Sequence, residues 1–176
     1  MAIDEDETKR VLEEEHPGSP EIESVLANKT LADIVTKAPL VVETTDTLAH
    51  VIRLMQAERH GCVVAVEAGK LAGIFTERDV LMKIAAHPID LERTPVSAFM
   101  THDPVTLPAD SNLAFALYQM AIEGYRHIPL VDDAGRPTSV ISMRDLMEYL
   151  SESFSRELLT LPPHPRSHQF RNREGA

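Results

Sequence analysis

Ile74-Phe75-Thr76-Glu77-Arg78-Asp79-Val80-Leu81 returns as Val140-Ile141-Ser142-Met143-Arg144-Asp145-Leu146-Met147. Each copy keeps a hydroxyl residue, an Arg two positions on and an Asp three positions on. The context returns as well. Pro39 matches Pro104, Leu48 matches Leu113, Met55 matches Met120 and Val66 matches Val131, all at an offset of 65, while Asp79 matches Asp145 at 66. The slip falls at Ala68-Gly69 against Asp133-Ala134-Gly135, where a hairpin turn absorbs one extra residue. A repeat of this length with its chemistry in register marks two copies of one structural unit.

Each copy reads as β-α-β-β-α. Repeat one opens at Thr30-Leu31-Ala32-Asp33, the pattern of a capping box. A short strand is expected over Pro39–Val42. Asp46 or Thr47 can cap a helix whose Leu48, Val51, Ile52 and Met55 recur at helical spacing. Cys62–Val66 and Leu71–Phe75 read as a hairpin, and a second helix is expected from Glu77 to about Ala86, before Pro88. Repeat two follows suit. Thr94-Pro95 starts a helical turn with Pro at its first position. Val105-Thr106-Leu107 is the short strand, and Leu113, Ala116, Leu117 and Met120 form the stripe. Ile128–Val131 and Thr138–Ser142 form the hairpin. The closing helix runs from Met143 to about Ser151 with Leu146, Met147 and Leu150 on one face. Half of this core is too small to be comfortable alone, so the two halves are expected to pack sheet to sheet as one pseudo-symmetric α/β domain.

The 176 residues thus divide into an acidic arm (1–27), repeat one (28–90), repeat two (91–152) and a tail (153–176). Residues 4–15 could form a short helix, and the arm and tail read as mobile. Residues 1–26 carry nine acids and two bases, and the chain's net charge is −11. Nucleic-acid binding, which needs a basic face, is not expected. Neither is a membrane span, because no stretch is long and apolar enough. With no apolar leader and only one cysteine, Cys62, the sequence reads as cytoplasmic and free of internal disulfides. His164 and His168 in the tail lack the carboxylate or thiolate neighbours of a metal site.

Two readings of the repeated motif start from the same atoms. Thr76 and Ser142 end a strand and open a helix, so Asp79 and Asp145 at the third helical position can complete capping boxes. Alternatively each Asp accepts hydrogen bonds from a ribose diol, as acidic residues do in other nucleotide sites, with the hydroxyl adding another. Helix N-terminal amides and Arg78 or Arg144 would then favour phosphate. Arg126 and His127 add positive charge in repeat two, where repeat one has Gly61 and Cys62, so two such sites should be unequal.

Gly73-Ile74-Phe75-Thr76-Glu77-Arg78-Asp79, Val140-Ile141-Ser142-Met143-Arg144-Asp145 and Arg126-His127-Ile128-Pro129-Leu130-Val131-Asp132 resemble the signatures of a tandem pair of cystathionine-β-synthase (CBS) domains, a Bateman module. The resemblance covers about residues 28–152 and looks like a stand-alone pair. It implies a regulatory module binding adenosine-containing ligands (AMP, ADP, ATP, sometimes S-adenosylmethionine) in clefts between the repeats. It assigns Thr76, Asp79, Ser142 and Asp145 to the ribose, and Arg78, Arg144, Arg126 and His127 to phosphate. It adds Thr44, Thr45, Pro108 and Ala109 in the loops after the first strands. It also implies a homodimer acting on a regulated protein that the sequence does not name. The stripes Leu48/Val51/Ile52/Met55 and Leu113/Ala116/Leu117/Met120 exceed the need of one small core and are expected to be partly buried in that dimer. No obligatory cofactor is implied, and Mg2+ is left open. Ser139 stands where repeat one keeps Gly73, a departure that either narrows the second cleft or points away from it. With no nucleophile–base pair and no metal cluster, an enzyme is not expected. The alternative is a ligand-free interaction module.

Overall fold

The computed structural model describes residues 28–34 and 38–153. The acidic arm, its expected helix and the His164–His168 pair lie outside the described residues.

Repeat one contributes β1 (Val41–Glu43), α1 (Leu48–Glu58), β2 (Cys62–Glu67), β3 (Lys70–Thr76) and α2 (Glu77–Asp79), which continues as a π-helical stretch over Val80–Ile84. The two-residue strand β4 (Thr101–His102) follows and gives a sheet ordered β1-β2-β3-β4. Central β2 is buried from Cys62 to Val66, which is why it reads as an unbroken apolar run. Thr47, not Asp46, caps α1, accepting from the His50 amide at 3.3 Å. The Asp46 carboxylate instead accepts from the Glu43 amide at 2.8 Å.

Repeat two contributes α3 (Leu113–Glu123), β5 (His127–Val131), β6 (Pro137–Ser142) and α4 (Met143–Ser153). The expected strand over Val105–Leu107 shrinks to one parallel bridge between Leu107 and Leu130. The reason is Pro129. In repeat one the Val64 amide donates to the Leu40 carbonyl at 2.9 Å, and Pro129 holds the matching position without an N–H to donate. Both hairpins carry the same irregularity, at Ala65/Val66 and at Leu130/Val131. The inserted residue sits in the second turn, where Asp132 accepts from the amides of Ala134 and Arg136.

The packing crosses the boundary between the sequence repeats. Leu31, in a 3-10 turn (Leu31–Asp33), is fully buried among Leu113, Ala116, Ile128 and Ile141 of repeat two. Val96, in the matching turn (Val96–Ala98), is buried among Leu48, Val51, Val63 and Phe75 of repeat one. The backbone repeats this exchange. Leu113 N–H donates to the Lys29 carbonyl and Leu48 N–H to the Thr94 carbonyl, at 3.0 and 2.9 Å. Each opening turn therefore closes the other repeat's core, and neither core is complete without the other repeat. Pro95 precedes its turn as the N-cap and does not occupy the first helical position.

Two sequence-based expectations about apolar faces are corrected. Leu48, Val51, Met55, Leu113, Ala116 and Met120 are all buried within the chain, so these stripes are not surplus left for a second subunit. The exposed apolar residues of α3 lie on its other face, with Phe115, Tyr118 and Ile122 at 47%, 60% and 64% exposure. On α4, Leu146 is buried but Met147 is exposed. Among the described residues no helix is long and apolar enough to cross a membrane.

Candidate functional site

The hydroxyl–Asp motifs form capping boxes in both repeats. Asp79 Oδ2 accepts from the Thr76 amide at 2.9 Å and the Thr76 hydroxyl at 2.7 Å, while Thr76 Oγ1 accepts from the Asp79 amide at 3.3 Å. Asp145 Oδ2 accepts from the Ser142 amide at 2.8 Å and from the Ser142 hydroxyl, with the Asp145 amide donating back at 3.2 Å. The Glu77 and Met143 amides donate to the Gly61 and Arg126 carbonyls, both at 3.0 Å. The amides of Glu77, Asp79, Met143 and Asp145 are thus satisfied inside the chain, so the expected anion site on helix amides is not present at these four.

Capping does not hide the motifs. Both open into one cleft of about 1030 Å³ between the repeats, lined by Thr76, Arg78, Asp79, Arg126, His127, Ser142, Arg144 and Asp145. Ile34, Leu40, Ile74, Val105 and Val140 give it apolar walls. The volume and mixed lining suit a nucleotide-sized molecule. The strand order explains the meeting point. Cys62 pairs with Thr76 and His127 pairs with Ser142, so each motif lies at the start of its repeat's central strand.

The same topology places Thr44, Thr45, Pro108 and Ala109 outside the cleft. Parallel pairing sets Glu43 beside Val66, about 13 Å along β2 from Cys62. The Thr44 amide then bonds the Val66 carbonyl at 3.1 Å, and the Ala109 carbonyl accepts from Ala32 at 2.8 Å. The segments before the first strands, Pro39-Leu40 and Pro104-Val105, line the cleft instead.

The cleft's positive charge comes from four arginines: Arg59, Arg78, Arg126 and Arg144. Arg78 reaches across to the Gly124 carbonyl at 3.5 Å. His127 does not add to this charge. Burial first, then neighbouring Arg126, hold its imidazole below its ordinary range, against the opposing pull of Asp145 and Glu77. Gly61 faces that ring, and a Cβ there would lie in contact with it, 3.4 Å from His127 Nε2. Burial pushes the Cys62 thiol up to about 12, so it stays protonated and inert.

Ser139 does not narrow the cleft. It is buried next to the lining residue Val140, on the other face of β6. Its counterpart Gly73 lies against Met100, whose side chain would have to shift for a Cβ that would sit 2.5 Å from its Sδ.

Two cleft determinants escape the repeat pattern. Arg59 caps the C-terminus of α1 in the left-handed region, at φ 54, where the matching residue of α3 is Gly124. Glycine is the usual choice there, so the arginine carries a backbone cost at a cleft position. Lys83 meets Asp79 Oδ1 at 2.7 Å and the Phe99 carbonyl at 2.8 Å. The one sequence signal for that ion pair is the four-residue spacing between Asp79 and Lys83. Among the described residues no group of three or more His, Cys, Asp and Glu could hold a metal ion.

Comparison with known proteins gives consistent results. The Arabidopsis thaliana CBS domain-containing protein CBSCBSPB5 is 33% identical over 118 residues, covering 66% of this chain and 21% of that protein. This chain therefore spans about a fifth of that relative's length. The CBS domain protein PAE2072 from Pyrobaculum aerophilum, solved complexed with AMP, superposes with a TM-score of 0.64 at 24% identity, over 76% of this chain and 100% of that one. The CBS domain pair of protein MJ0100, solved with 5-methylthioadenosine and S-adenosyl-L-methionine, gives a TM-score of 0.62 at 20% identity, over 69% and 99%. The CBS domain family model matches residues 31–86 and 96–152, and the chain belongs to that family as a pair of CBS domains.

Proposed function

We propose that this chain is a regulatory module that binds an adenosine-containing ligand, such as AMP, ADP or ATP, in the cleft between its repeats. One observation carries the reading: both hydroxyl–Asp motifs and four arginines line a single cleft of nucleotide size. Ser142 and Asp145 would hold ribose, and Thr76 and Asp79 form the matching half-site opposite. Arg78, Arg126, Arg144 and Arg59 would meet phosphate, and neutral His127 would add a hydrogen bond. The AMP bound by PAE2072 and the adenosine-type ligands bound by MJ0100 support this ligand class. The role is binding rather than catalysis. Because each opening turn completes the other repeat's core, a ligand that prefers one relation of the repeats shifts the whole domain.

Calorimetric titration with AMP and adenosine tests the reading. AMP should bind at least about tenfold more tightly, from one or more charge-assisted phosphate bonds. Heat from neither ligand would favour the second reading, a ligand-free interaction module. That reading draws on the capping boxes, which satisfy both motifs without a ligand. Either way the module is proposed to pair with a second copy through the exposed Phe115–Tyr118–Ile122 face of α3. Tyr118→Glu should then shift sedimentation towards the monomer.

A further inference from the structure

The two motifs differ at one carboxylate oxygen. In both, Oδ2 is held by the motif's own amide and hydroxyl. Asp79 Oδ1 is also taken. Lys83 Nζ lies 2.7 Å from it and bonds the Phe99 carbonyl at 2.8 Å. The Asp79 side chain is only 11% exposed and that of Lys83 40%, so the carboxylate end of the contact is shielded while the ammonium end is partly open to water. The residue matching Lys83 is Tyr149, which packs against the core of repeat two. Among the described residues no hydrogen-bond donor or cation lies within bonding distance of Asp145 Oδ1.

A vicinal diol brings two O–H donors and needs accepting capacity on one carboxylate. Asp145 has a whole oxygen to offer. At Asp79 the diol must displace an ammonium, which brings a full positive charge to the carboxylate where a hydroxyl brings only a dipole. Displacement also leaves the Phe99 carbonyl without Lys83, and the chain from Thr101 to Val105 that follows it lines the cleft.

We infer that Lys83 occupies the repeat-one half-site from within, so that the chain takes up one adenosine-containing ligand, on Asp145, and Lys83 sets that stoichiometry. The inference rests on the proposed ribose role of the two acids. Calorimetry with AMP on the full chain tests it, comparing wild type with Lys83→Tyr, which copies repeat two, and with Lys83→Met, which keeps an apolar stem. Wild type should bind one AMP per chain. Either variant should bind a second, with affinity within about tenfold of the first, and the second event should vanish when Asp79→Ala is added. A folded variant still binding one AMP, or a wild type binding two, would overturn the assignment. If neither variant folds, NMR of the wild-type Lys83 ammonium decides. Its signal should be unchanged at AMP saturation, and its loss or displacement would overturn the assignment. AMP binding by no form of the chain would remove the nucleotide reading itself, a result distinct from binding without a change in stoichiometry.

Discussion

Repeat one and repeat two share a motif, a hairpin irregularity and a capping pattern, yet they present different chemistry to the same cleft. Repeat one supplies a carboxylate already bonded to a lysine, the small Gly61-Cys62 pair where its partner has Arg126-His127, and an arginine held in a left-handed cap. Repeat two supplies a carboxylate with one oxygen open, the bulky Arg126-His127 pair, and glycine at the cap. Duplicated backbone thus gives the scaffold, and side chains that have diverged across the pseudo-twofold give one composite site instead of two equal ones.

The largest effect is expected where the repeats are most alike, in the exchanged turns. Leu31→Ala should cost about 2–5 kcal/mol, the range for a fully buried leucine. Denaturant melts would measure it. Amide exchange should show protection falling in α3, β5 and β6, because Leu31 sits in the repeat-two core. Protection lost around β2 and β3 alone would show that the turn serves its own repeat.

Next comes the ribose contrast. Asp145→Ala should weaken AMP binding by about 1.5–3 kcal/mol, the scale of hydrogen bonds to a charged group. Asp79→Ala should weaken it less, because Lys83 already holds that carboxylate. Equal losses in calorimetry would erase the asymmetry between the repeats.

A smaller effect of opposite sign is expected at Arg59. Arg59→Gly should raise stability by up to about 1 kcal/mol, as the left-handed cost disappears and glycine's greater freedom in the unfolded chain offsets part of the gain. The same change should lower the preference for AMP over adenosine, measured as a ratio of affinities. A stability gain with the ratio intact would make Arg59 a cap and nothing more.

The architecture was legible because hydrophobic periodicity and turn chemistry are local. The stripe at Leu48, Val51 and Met55, the Ala68-Gly69 turn and the Thr76–Asp79 box all follow from near neighbours in sequence. What escaped depends on partners far apart in the chain. The strand over Val105–Leu107 fails because of Pro129, and Thr44 and Pro108 leave the cleft because their strands run parallel to the central ones. The stripes read as a dimer face in the sequence because the turn each accepts comes from the other repeat. His127 reads as a cation in the sequence because its burial appears only in the folded chain, where it packs against Gly61.

His127 also carries the smallest predicted effect. Its folded-state imidazole titrates below the ordinary value of 6.5, chiefly through burial and then through Arg126. Arg78 adds to that lowering, while Asp145 and Glu77 oppose it. On acidification the unfolded chain therefore takes up this proton before the folded chain does. Stability attributable to the group is full above about pH 6.5 and falls as the pH drops towards the depressed value. Its slope cannot exceed about 1.4 kcal/mol per pH unit for one proton. His127→Gln removes the titration while keeping a polar side chain of similar reach. The difference between wild-type and variant denaturant midpoints should therefore be constant above pH 7 and should shift in the variant's favour between pH 6.5 and 5. Repeat one has Cys62 at this position, whose thiol stays protonated throughout that window, so Cys62→Ala should leave the pH dependence unaltered. A pH-independent difference for His127→Gln would show that its imidazole is as solvated as an ordinary surface histidine, and that Gly61 does not enclose it.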